Sequence, residues 1–135
     1  MRIPRKVKNL IKKYQGVLGL NTVKIEIIVS NNTTEYLDKQ QFKTIKTDYF
    51  AQVFSTGDTE SDFVLIFTPA GLEQEAEDTV IHELLHILFW NFIEQMKSLI
   101  LLTELHIDKR KRLIAELNNL EHKWIKVLVP AIKKP

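Results

Sequence analysis

The chain has 135 residues, the size of one domain spanning residues 1–135, and its formal net charge is +2. It contains no cysteine, so disulfide bonds and thiolate ligands are excluded, and any bound metal must be held by nitrogen and oxygen atoms. It has neither a secretory signal pattern nor an apolar run of about 18 residues, so we expect a cytoplasmic protein without a membrane partner.

The first predicted element is an amphipathic helix over residues 5–17, where apolar side chains recur at helical spacing and Gly16 and Gly19 mark the end. Residues 1–24 carry seven basic side chains and no acid. Such a surface could bind nucleic acid or an acidic partner. The basic residues are not interleaved with aromatic side chains and no known nucleic-acid motif accompanies them, so we interpret this surface as a solvated helix face.

Three strands are predicted next. Alternating apolar residues indicate a strand at 22–30, and further strands at 48–55 and 62–68 flank a turn at 56–59, which favours a hairpin. Between them, residues 36–42 fit either a short helix or an irregular segment.

Two long helices complete the pattern. The first is predicted over 72–96, because Pro69 suits a helix start and several acids follow it. The second begins near residue 99 or 108 and is expected to end at Val129, before Pro130. The order of elements predicts an α+β domain, in which the three helices pack against a small, mostly antiparallel, three-stranded sheet.

The long helix carries the residues with the clearest chemistry, since residues 82–86 read H-E-x-x-H. Positions four apart lie on one helix face, so His82 and His86 can bind one metal ion while Glu83 reaches a water on that ion. This trio suits hydrolysis, in which the metal activates the water and the carboxylate takes its proton. The alternative interpretation is a polar cluster in the core, because apolar residues surround most of this helix.

A catalytic zinc ion needs a third protein ligand. Glu121 is our first choice, because a helical advance of about 100° per residue places it inside the apolar arc of the last helix. An unpartnered carboxylate there would be costly. His106, Glu104 and Glu116 are the alternatives, whereas His122 lies outside the arc.

The run I-H-E-L-L-H-I-L at 81–88, after a strand-rich half and before a charged final helix, resembles the small zincin metallopeptidases, many of phage or mobile-element type. A late helix carrying a glutamate, here at 120–128, is similar to theirs. The resemblance implies a zincin-like fold and a site of the gluzincin type. His82, His86 and a downstream glutamate would bind Zn²⁺, and Glu83 would be the general base.

The resemblance also implies a substrate and its position. The third strand would be a sheet edge that pairs with an extended peptide or protein substrate. Two related groups are SprT-like proteases, whose third ligand is a histidine and would favour His106, and proteases that cleave transcriptional repressors. Tyr49, His106 and His122 are candidates for stabilising the oxyanion.

We therefore expect a zinc metallopeptidase that hydrolyses peptide bonds through a metal-activated water, with Glu83 as general base. Two alternatives stay open. One is a zinc-containing binding module without turnover, and the other is a nucleic-acid-associated protease of the SprT-like or repressor-cleaving kind.

Overall fold

Three helices and three strands make up the described part of the chain, in a computed structural model that describes residues 3–30, 51–55, 62–69, 72 and 76–133. The elements are α1 (Arg5–Val17), β1 (Lys24–Val29), β2 (Ala51–Ser55), β3 (Asp62–Phe67), α2 (Ala76–Leu101) and α3 (Ile107–Lys133). The predicted α+β class is confirmed. The expectations for residues 36–42, for the turn at 56–59 and for Tyr49 lie outside the described residues.

Helix α1 has the predicted bounds, and its buried face is formed by Val7, Ile11 and Tyr14. These side chains belong to the main core, where α1 packs against α2. The chain leaves the helix through Gly19, whose φ of 72° is the left-handed conformation that glycine adopts without a steric penalty.

The sheet has the order β1-β3-β2, with β1 parallel and β2 antiparallel to the central β3. The predicted pairing of the second and third strands is therefore confirmed. The expectation of a mostly antiparallel sheet is wrong, because the sheet is mixed. Residues 63–67 are all buried, and such a continuous apolar run is typical of a strand covered on both faces.

The strand order also bears on the prediction that the third strand is a sheet edge that pairs with the substrate. Since β3 pairs with β1 on one side and with β2 on the other, it has no free edge for an extended peptide. The prediction that the third strand pairs with substrate is wrong.

Helix α2 packs against the sheet and supplies much of the core. Most of residues 76–87 are buried, among them Val80, Ile81, Leu84 and Leu85, and the Trp90 ring meets Phe63 edge-on at 5.4 Å. Not all of the apolar residues that surround this helix are buried, because Leu88 and Phe92 are exposed. The helix also runs beyond the predicted end at residue 96.

Helix α3 packs against α2, and it continues through Pro130 to Lys133 instead of ending at Val129. A proline removes one backbone hydrogen bond, and here only the last turn is affected. That turn is held by tertiary contacts, because Ile132 packs on the core and Lys133 Nζ lies 2.9 Å from Asp78 Oδ1 at the start of α2. The two helices are therefore antiparallel.

Candidate metal centre

The H-E-x-x-H motif lies in the middle of an unbroken part of α2, so its two histidines project from one face, one turn apart. His82 Nε2 and His86 Nε2 are 3.2 Å apart. Two nitrogens that bind one tetrahedral zinc ion at about 2.0–2.1 Å are separated by about 3.3 Å. The histidine pair therefore already has the spacing of two ligands on one metal ion.

Hydrogen bonds orient two of the three imidazoles at the site. His86 Nδ1 lies 3.2 Å from Glu121 Oε1 on α3 and donates to it. His122 Nδ1 lies 2.9 Å from the backbone carbonyl oxygen of Asn118. A carbonyl oxygen can only accept a hydrogen bond, so His122 Nδ1 carries the hydrogen. In the neutral form of both rings the lone pair is then on Nε2, the arrangement found in metal-binding histidines.

His122 brings a third imidazole to the pair from the neighbouring helix. One nitrogen from each of His82, His86 and His122 can be chosen so that all three lie within 4.8 Å of one another. The ring of His122 is centred 4.9 Å from that of His86 and 6.1 Å from that of His82. In the part of the chain that the structure describes, this is the one group of three such side chains, and it could form a metal site.

The site lies at the rim of the helix interface and not in the core. His82 and His86 are partly buried, whereas His122 is exposed. An ion bound here would keep one side open to solvent, which is how catalytic sites differ from closed structural sites.

Burial sets the charge of the first histidine. Burial lowers the pKa of His82 to about 4, and the neighbouring imidazoles of His86 and His122 contribute to this decrease. His82 is therefore neutral at neutral pH, as a metal ligand must be. Burial alone would lower the pKa of His86 as well, but the hydrogen bond to Glu121 and the charges of Glu83 and Glu121 outweigh it and raise the pKa.

Glu83 is the one buried carboxyl group among the described residues. It is only 7% exposed, and the other buried polar residue among those described is Thr79. Burial raises the pKa of Glu83 to about 7, although His86 nearby acts in the opposite direction. A buried carboxylate costs several kcal/mol unless a partner offsets the burial, and a cation held by the adjacent histidines would do so.

No protein-family model, no curated protein and no solved structure matches this chain. The interpretation of the site therefore depends on its own residues. In the described segments, no helix is both long and apolar enough to cross a membrane.

The structure places the predicted third ligands differently. Glu121 reaches the site and contacts His86, but it is not a member of the three-ligand group. His106 is exposed and lies 3.6 Å from Asp108 at the start of α3, while Glu104 and Glu116 are exposed. None of the three joins that group, and the assignment of Glu121 as a ligand stays a prediction.

His122 was not among the predicted ligands, because it lies outside the apolar arc of α3. The side chains inside that arc are the ones that point into the core. The histidine pair lies at the rim of the α2–α3 interface, so a side chain beside the arc reaches it. A signal was present in the sequence, since His122 directly follows the glutamate that the arc selected.

Proposed function

We propose that the protein is a zinc-dependent metallopeptidase of the zincin type. His82, His86 and His122 bind the zinc ion, Glu83 is the general base, and Glu121 orients His86. The observation that carries the proposal is the 3.2 Å separation of His82 Nε2 and His86 Nε2 within an H-E-x-x-H helix, beside a buried carboxylate.

The donor set suits zinc. Three imidazole nitrogens are common ligands of this ion, and the chain has no thiolate to offer in their place. His82, His86 and His122 would hold the zinc ion, which would supply a water of lowered pKa for the hydrolysis.

Glu121 is assigned an orienting role because of the atom that it contacts. Its carboxylate lies at His86 Nδ1, on the opposite side of the ring from Nε2, which faces His82. A carboxylate behind a ligand histidine fixes the ring and increases the basicity of the coordinating nitrogen. Direct coordination by the same oxygen would require it to leave His86.

Glu83 is assigned the proton transfers. Its position in the sequence, directly after His82 and three residues before His86, is that of the general base in an H-E-x-x-H motif. The Glu83 carboxylate would take a proton from the attacking water and deliver it to the nitrogen of the leaving amine. Peptide bonds are the proposed substrate class because the motif is the one that metalloproteases use.

The test measures zinc content and hydrolysis together, in tag-free wild type, His82→Ala, Glu83→Gln and Glu94→Gln. Glu94 is a matched control, because it lies on the same helix and is exposed. We expect about one zinc per chain in all but His82→Ala. The rate of hydrolysis of an unfolded, fluorescently labelled protein should be about 100-fold or more lower for Glu83→Gln than for wild type. Glu94→Gln should hydrolyse it at the wild-type rate.

Two results would contradict the proposal in different ways. Zinc-loaded wild type that cleaves no faster than Glu83→Gln would leave a metal-binding module without turnover. Wild type that binds no zinc at neutral pH would show that the three histidines are a polar cluster and not a metal site.

A further inference from the structure

Helix α1 presents a surface of a single charge sign. Five basic side chains, which we call the basic face, are exposed along it: Arg5, Lys6, Lys8, Lys12 and Lys13. Its opposite side, with Val7, Ile11 and Tyr14, is buried in the core. No acid occurs in residues 1–24 to offset these charges.

The positive charge of the basic face is also not neutralised by acids from elsewhere in the described structure. None of the ion pairs between described residues involves these five side chains. Most surface lysines in soluble proteins have mixed-sign neighbours, whereas a face of one sign creates a field that attracts polyanions.

Part of the basic face is concave. A shallow groove of about 450 Å³ is lined by Arg5, Lys6 and Lys13, with Asn9 and Leu10 between them. This depression is open to solvent, and three of the five cations lie around it.

We propose that the basic face binds the phosphate backbone of double-stranded nucleic acid without reading its sequence. At a rise of 1.5 Å per residue, the five cations cover about 12 Å of helix axis. Phosphates of one strand recur about every 3.4 Å along a duplex axis, so the face can meet about three or four of them. Lysine and arginine on an exposed helix supply this sequence-independent contact.

An anionic membrane is the competing polyanion, and the packing of α1 argues against it. Amphipathic helices bind membranes by inserting their apolar side into the headgroup region. Here Val7, Ile11 and Tyr14 are at most 3% exposed, so that side is already occupied by the core. The side of α1 that remains exposed carries the five charged side chains of the basic face.

The test is fluorescence anisotropy of a labelled duplex of arbitrary sequence with the full chain, at several salt concentrations between about 50 and 200 mM. The variant Arg5→Gln/Lys6→Gln/Lys13→Gln removes three charges from the groove and keeps good helix formers. The matched control Lys109→Gln/Lys111→Gln/Arg112→Gln removes three exposed charges from α3 and gives the same net charge. Neither zinc nor hydrolysis is involved, so the outcome does not depend on the proposed function.

We expect the wild-type affinity to fall with salt, with a slope near −3 in a plot of log affinity against log salt. The groove variant should bind at least about tenfold more weakly and have a slope about one to two less steep, because its two remaining cations can make about two contacts and each phosphate contact contributes about 0.9. The α3 control should stay close to wild type.

Three outcomes would overturn the proposal. The first is equal losses in the two triple variants, which would mean that binding follows net charge. The second is wild-type binding that does not depend on salt. The third is binding to phosphatidylserine vesicles at salt concentrations that abolish duplex binding, which would assign the face to membranes. Circular dichroism and melting of both variants would establish that they are folded.

Discussion

His86 connects the two long helices through Nδ1, which lies 3.2 Å from Glu121 Oε1 on α3, while its Nε2 lies 3.2 Å from Nε2 of His82, one turn away on its own helix α2. The contact with Glu121 fixes the ring plane and leaves the lone pair of the neutral ring on the side of His82. A metal ion bound by the histidine pair would therefore be coupled, through His86, to the docking of α3 against α2.

The first prediction concerns Glu121→Gln. The amide can no longer supply a charged acceptor to His86 Nδ1, so we expect about one zinc per chain but an affinity about 10–100-fold weaker. His122→Ala removes a proposed ligand and should cost more. Zinc affinities measured by competition with a chromophoric chelator would give both values.

Glu116→Gln is the control for this prediction, since it makes the same change at an exposed position of α3. The roles would be reversed if Glu121→Gln abolished zinc binding while His122→Ala retained it. In that case the carboxylate, and not the imidazole, would be the third ligand.

The second prediction concerns the docking of α3, which depends on Ile125. This side chain is 0% exposed and lies one turn beyond Glu121. Ile125→Ala should reduce the free energy of unfolding by about 2–5 kcal/mol and weaken zinc binding, because α3 then positions His122 less well. Val127→Ala, at a position 65% exposed, should change stability by less than about 0.5 kcal/mol. Urea unfolding of metal-free and zinc-loaded protein would measure both effects, and equal stabilities of the two variants would contradict the role of Ile125.

The third prediction is a pair of glycine substitutions with opposite signs. Gly19 has a φ of 72°, and an added methyl group would have no other atom within 4 Å, so Gly19→Ala should cost about 1–2 kcal/mol through backbone conformation alone. Gly16 is helical, and the nearest atom to an added methyl is 3.9 Å away. Gly16→Ala should therefore stabilise the protein by about 0.5–1 kcal/mol. Thermal melts of the two variants side by side would test the signs, and a neutral Gly19→Ala would contradict the first.

Local patterns in the sequence predicted the elements of this fold, whereas the arrangement of the strands needed long-range information. The bounds of α1 followed from apolar spacing and two glycines, and the pairing of β2 with β3 followed from their short separation. The parallel partnership of β1 with β3 joins residues almost 40 positions apart, and no local rule specifies it. The continuous apolar run of β3 was the available signal that this strand is central.

The residues of the candidate site also divide into those that local sequence patterns predicted and those that needed long-range information. His82, Glu83 and His86 share one helix, so helical geometry alone placed them together. The partner from α3 depended on the rotation and register of two packed helices, which apolar periodicity defines only coarsely. Apolar periodicity selected Glu121, on the turn of α3 that reaches the site, and the neighbouring His122 completes the three-histidine group.

The last prediction concerns Glu83 in the metal-free protein. Burial raises the pKa of this carboxyl from 4.5 to about 7. As the pH rises, the Glu83 carboxyl loses its proton near pH 4.5 in the unfolded chain but only near pH 7 in the folded protein. The stability that the protonated carboxyl contributes is therefore fully present below pH 4.5 and is lost as the pH rises through 7.

In EDTA, the free energy of unfolding of Glu83→Gln should therefore equal that of wild type near pH 4 and exceed it by about 1–3 kcal/mol at pH 8, as measured by urea unfolding. Added zinc should reduce this difference, because the bound cation stabilises the wild-type carboxylate. A Glu83→Gln variant that is no more stable than metal-free wild type at pH 8 would show that the buried carboxylate already has a partner within the protein, and the need for a cation at this site would disappear with it.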